Sequence, residues 1–129
     1  MGLDMYAYTV EQDRVGEHEV SDTLPSDFKF GEQADDKNFA YWRNFNHLEE
    51  LMSDLYYDKG GEKEFNCEFV RVDLKDLDAI KEMLDYEEYG IYPIDEETLN
   101  DHAEDTYDFI NRAKEAINQG MTVWYGSWW

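Results

Sequence analysis

The stretch FNCEFVRVDLKDLDAIKEMLD, residues 65–85, decides the fold class, because its hydrophobic period changes partway along. From Phe65 to Val72 the residues alternate. Phe65, Cys67, Phe69 and Arg71 point one way, and Asn66, Glu68, Val70 and Val72 point the other. A period of two is that of a strand. Beyond Asp73, a good N-cap, Leu74, Leu77, Ile80 and Leu84 recur at three- and four-residue steps, which predicts a helix over 74–85. A chain that passes from one period to the other this quickly mixes short strands with covering helices.

Working outward, a longer helix is predicted from Asp95 to Gln119, with Leu99, Ala103, Thr106, Ile110, Ala113 and Ile117 inward and Gly120 as its stop. On the N-terminal side, Phe39, Trp42, Phe45, Leu48, Met52 and Leu55 also fall at helical steps. They predict a helix from Asp36 to Tyr57, capped by Asp35 or Asp36 and ended by Gly60-Gly61. Residues 3–10 read as a strand with Leu3, Met5, Ala7 and Thr9 opposite Asp4, Tyr6, Tyr8 and Val10, and Met121–Trp128 read as a closing aromatic strand. Residues 11–36 hold no period and read as a long irregular loop; 86–94 form a tyrosine-rich connection. The expectation is an α+β fold, one domain over 1–129. A small, about three-stranded, largely antiparallel or mixed sheet should carry three helices packed on one face.

Composition then bounds function. Thirty-two Asp and Glu against eleven Lys and Arg leave a formal charge of −21 over 129 residues, and 73–108 alone hold fourteen carboxylates against Lys75 and Lys81. Such a field repels nucleic acid and anionic membrane and attracts basic protein surfaces. The 21 Phe, Trp and Tyr residues argue for a packed interior and against an acidic disordered tail. Cys67 is the only cysteine, so an intrachain disulfide and a Cys-based zinc cage are excluded; the alternation makes it a small core side chain. No apolar run has membrane-spanning length and no signal peptide opens the chain, so a cytoplasmic protein is expected.

Three strings carry a resemblance: Met-Gly-Leu-Asp-Met-Tyr (1–6), Tyr41-Trp42-Arg43 with Gly60-Gly61 and Phe65-Asn66-Cys67, and the closing Tyr125-Gly126-Ser127-Trp128-Trp129. Together they resemble a family of small proteins of bacteria, prophages and tailed phages that open with MGLDMY and end in a Ser-Trp motif. The resemblance covers all but 11–36 and 86–98, and implies a phage or prophage origin without implying a reaction. The family often has His where this chain has Glu49, and Asp where it has Gly126, so a polar site built on those two would be altered here.

No phosphate-binding glycine loop, Ser-His-Asp order or Cys-His pairing is present. His18, His47 and His102 lack zinc spacing, and no metal or other cofactor is expected. Asp4, flanked by Leu3 and Met5, needs a cation or donors if buried. With Arg43, His47 and Ser127 it forms an alternative polar site for a small molecule or metal; the plainer account is an Asp4–Arg43 ion pair that pins the N-terminal strand. The aromatic C-terminal strand offers a self-association role. The leading expectation is a non-enzymatic binding protein whose acidic surface imitates DNA. It would inhibit or modulate a basic host protein such as a nuclease, defence complex or transcription factor. The docking carboxylates would be Asp76, Asp78, Glu82, Asp85, Glu96, Glu97, Asp101, Glu104, Asp105 and Asp108. The blander account is a merely solubilising coat.

Overall fold

A computed structural model describes residues 2–28, 30 and 36–129. In chain order its elements are β1 (Asp4–Glu11), α1 (Gln12–Val15), a 3-10 turn (Ser21–Thr23), β2 (Asp36–Arg43), α2 (Asn46–Asp58), β3 (Phe69–Val72) and α3 (Leu74–Tyr86). A two-residue-strand hairpin, β4 (Glu88–Tyr89) and β5 (Tyr92–Pro93), then leads to α4 (Glu96–Asn118) and β6 (Met121–Trp128). The main sheet is antiparallel, in the order β2-β1-β6-β3. The fold is thus α+β, with four strands where three were expected. No helix among the described residues is long and apolar enough to cross a membrane.

The fourth strand is a correction to the helix predicted from Asp36. Residues 36–43 pair with β1, Tyr6 facing Tyr41 and Met5 facing Trp42, and the register slips between Ala7 and Thr9. Such a bulge inserts extra residues and re-aims side chains. Here Phe39 and Trp42 both reach the Phe109 ring, so their three-residue spacing imitates a helical step. The true helix begins only after Asn44, whose φ of 62° turns the chain. Asn44 is locked to the first strand by bonds in both directions: its N–H donates to the Leu3 carbonyl (2.9 Å), and the Leu3 N–H donates to its Oδ1 (2.8 Å). The capping role expected of Asp35 lies outside the described residues.

A second correction falls at Cys67. Its φ of 64° breaks the alternation and leaves the thiol exposed, so β3 starts at Phe69. In consequence Phe65 joins the helix-side core, while Phe69 crosses to the other face. On the helix side, Met5, Trp42, Val70, Val72, Val123 and Tyr125 meet Leu48, Met52, Leu77, Ile80, Phe109 and Ile110. Leu74, assigned inward by its spacing, is exposed.

The opposite face is also covered. Val15, Leu24 and Phe30 close over Tyr8, Val10 and Trp124, which makes the expected loop a working part of a second core. Arg71 fastens it: one guanidinium nitrogen donates to the Gly16 carbonyl (3.0 Å) and another to Gln12 Oε1 (2.8 Å).

Where β6 passes beneath Phe69, residue 126 has no side chain, and a Cβ there would overlap the Phe69 ring. Overpacking of this kind costs about 1–3 kcal/mol. Gly126→Ala should therefore lower the unfolding free energy by that amount, measured as a lower urea midpoint at an unchanged denaturant slope.

Candidate functional site

Helices α3 and α4 pack against each other and present their outer faces to solvent, so the ten carboxylates singled out from the sequence can be placed one by one. Asp76 is not a surface group. It is 4% exposed, receives the Asp73 backbone N–H (2.8 Å) as half of a capping box, and takes the buried Lys59 ammonium at 2.5 Å. A helix N-terminus favours this carboxylate and burial demands its cation, so its role is structural. Asp78 meets Lys114 at 3.5 Å, Asp108 meets Arg112 at 2.9 Å, and Asp85 meets Lys81 at 2.6 Å. Asp85 also accepts the Tyr107 hydroxyl (2.6 Å), and that bond pushes the Tyr107 phenol up to about 12.

The other six, Glu82, Glu96, Glu97, Asp101, Glu104 and Asp105, are exposed and have no ion pair among the described residues. Glu97, Asp101 and Asp105 follow one another at four-residue steps, as do Glu104 and Asp108. Like charges so spaced destabilise a helix by about 0.2–0.5 kcal/mol per pair. Glu97, Asp101, Glu104, Asp105 and Asp108 together place one carboxylate per ~3–4 Å of axis. A DNA strand carries one phosphate per ~3.4 Å.

Sequence reasoning missed a groove beside this face. Its lining comes from three separated segments: Leu51, Asp54, Leu55 and Asp58 of α2; Ala79, Glu82, Met83 and Tyr86 of α3; and Glu88, Tyr89 and Gly90 of the hairpin. It encloses about 360 Å³. The Tyr89 hydroxyl donates to Asp54, and burial, followed by that bond, drives its phenol far up. Only the tyrosines of 86–94 hinted at it in the sequence.

The alternative polar site does not assemble. Asp4 lies on the outer face of the sheet, where Arg43 reaches it at 3.2 Å and the Tyr41 hydroxyl at 2.8 Å. Ser127 is paired with Met5 and so points to the opposite face, where its hydroxyl donates to Glu49 (2.9 Å). His47 bonds the Pro93 carbonyl (3.1 Å). His18 bonds Thr23 (2.8 Å), while His47 and His102 both pack against the Phe45 ring. No group of three or more potential metal ligands converges among the described residues.

What Ser127 does join is a second cluster the sequence reading did not foresee. Glu49 accepts from Tyr125 Oη (2.7 Å) as well as from Ser127, at the edge of a 400 Å³ groove between α2 and the C-terminus. Burial raises the Glu49 carboxyl, against the lowering effect of its hydroxyl donors. The Tyr125 phenol is pushed well up by burial and then by the Glu49 charge. Nor is β6 a free edge for self-association: it is paired on both sides, with Trp124 and Tyr125 fully buried and only Trp128 and Trp129 half exposed. Comparison with protein-family models, curated proteins and solved structures returns no match to this chain.

Two variants check these assignments. Lys59→Met strands the buried Asp76 carboxylate and should cost about 3–5 kcal/mol in urea unfolding near neutral pH. Because folding raises the Glu49 pKa, its contribution is fully present below the ordinary value of 4.5 and is lost as pH rises through the folded value. Glu49→Gln, which stays neutral, should therefore gain on the wild type as unfolding is measured from acid to neutral pH. A difference that shrinks or reverses would mean Glu49 is stabilised as the anion.

Proposed function

We propose that this chain acts by binding and not by catalysis, and that its target is a basic, nucleic-acid-binding protein engaged through the outer faces of α3 and α4. One observation carries the reading: the row of exposed carboxylates on α4, spaced along its axis about as densely as the phosphates of one DNA strand. Glu97 suits the helix N-terminus and Asp108 pairs with Arg112, but the fold has no such use for Asp101, Glu104 and Asp105. The members of the row repel one another, while the inward side of α4 already supplies Thr106, Phe109, Ile110 and Ala113 to the interior. A basic channel that neutralises nucleic-acid phosphates would neutralise this row as well, releasing the cations the row attracts, so the binding would weaken as salt rises. The resemblance to phage and prophage proteins fits a host target, and inhibition or modulation follows if the channel cannot hold both.

The test uses the immobilised full chain and a quadruple neutralised variant, Glu97→Gln, Asp101→Asn, Glu104→Gln and Asp105→Asn. From a bacterial lysate at low salt, the wild type should retain a basic protein that moderate salt and duplex DNA both displace, and the variant should lose it. Equal retention by the variant, or by an equally acidic unrelated protein, overturns the proposal.

A further inference from the structure

The hairpin beside the acidic face is apolar where solvent would favour polar residues. Ile91 is 84% exposed, Tyr86 69% and Tyr92 55%, and they belong to one short segment, 86–92. Exposed apolar groups gathered like this mark an interaction surface. The groove they adjoin has an apolar floor, Leu51, Leu55 and Met83, and carboxylates on its walls. Asp54 is engaged by the Tyr89 hydroxyl, whereas Asp58, Glu82 and Glu88 have no ion pair among the described residues.

We infer that the groove between α2, α3 and the β4–β5 hairpin is the anchoring site for a partner segment in which a Lys or Arg lies next to a large apolar residue. The inference rests on the acidic-docking reading and adds to it where the partner is gripped. A long cationic side chain would lay its aliphatic stem along Leu55, Met83 and Tyr89 and bring its charged head to Asp58, Glu82 and Glu88. The neighbouring apolar residue would cover Tyr86 and Ile91. A second copy of this chain does not fit, since carboxylates would then face carboxylates across the interface and the charge of −21 would double. Charge complementarity selects a basic segment, and the exposed hairpin selects an amphipathic one.

Two synthetic hexapeptides of equal charge serve as probes, one alternating Lys with Leu and one alternating Lys with Ser. Each is titrated into the full chain at low salt while backbone amide shifts are followed by NMR. The Lys-Leu peptide should bind about tenfold tighter, with shifts gathered on residues 54–58 and 79–92. Tyr86→Ser with Ile91→Ser, both at exposed positions, should abolish the preference, bringing the two peptides to equal affinity. Glu82→Gln with Glu88→Gln should weaken both peptides. Equal affinities, or shifts centred on α4, overturn the groove and leave the acidic-face reading intact. Groove binding in a chain that captures no basic protein overturns the acidic-face reading instead. Sedimentation as a dimer that the Tyr86/Ile91 variant dissolves overturns the choice of partner.

Discussion

Strand β6 must be covered on both sides, and most of the architecture follows from that. It is central, bonded to β1 and β3, and Thr122 through Ser127 are all buried. Trp124 points one way and Tyr125 the other, so neither face can be left to water. The helices cover the Tyr125 side. On the Trp124 side, among the described residues, the cover comes from the segment after β1, which is held by a short helix, the Leu24 and Phe30 side chains and the Arg71 guanidinium. Trp124 brings a polar atom into that second core, and it is satisfied locally: its Nε1–H donates to Thr122 Oγ1 (3.0 Å), whose hydroxyl donates to the Val10 carbonyl (2.7 Å).

A chain with thirty-two carboxylates and eleven cations faces a shortage of positive partners, and tyrosine fills part of it. Among the described residues, five phenols donate to carboxylates: Tyr41 to Asp4, Tyr56 to Asp22, Tyr89 to Asp54, Tyr107 to Asp85 and Tyr125 to Glu49. A phenol donates a bond without being charged, which lets a carboxylate approach the apolar interior at lower desolvation cost than an ion pair. This explains how ten tyrosines suit so acidic a composition. Lys59 is the exception, a buried ammonium that serves Asp73, Asp76 and the Arg71 carbonyl together.

What the sequence disclosed follows from how local each cue is. Helices α3 and α4 were legible because their periodicity is uninterrupted and each starts at a capping aspartate; Asp95 does accept the Thr98 N–H. The central strands β1 and β6 were legible from their composition. Strand β2 was hidden, since a bulge sets Phe39 and Trp42 at a helical interval, and no local rule separates that from a true helix. Cys67 was misread because alternation extends through it, and only the turn that brings its N–H to the Ser127 carbonyl (2.8 Å) makes it face solvent. Among the candidate site residues, the exposed ones on α4 were recoverable from periodicity alone. Asp76 was not, because its burial depends on Lys59, seventeen positions away at the C-cap of α2.

The same distinction bears on which acidic residues are free to act. Some carboxylates in loops and near the sheet are occupied: Asp22 takes a phenol and a backbone N–H, Glu68 takes the Ser21 hydroxyl, and Asp4 takes Arg43, while Glu11, Glu17, Asp27, Glu62 and Glu64 stand exposed. Those on the outward sides of α3, α4 and the hairpin are mostly not. If the acidity served only to keep the chain soluble, nothing would favour setting unneutralised charges four residues apart on a single helix, where repulsion is strongest. Nor would it call for Tyr86, Ile91 and Tyr92 to stand in solvent beside them. A solubilising coat requires neither feature, whereas a surface shaped for a basic, partly apolar partner requires both.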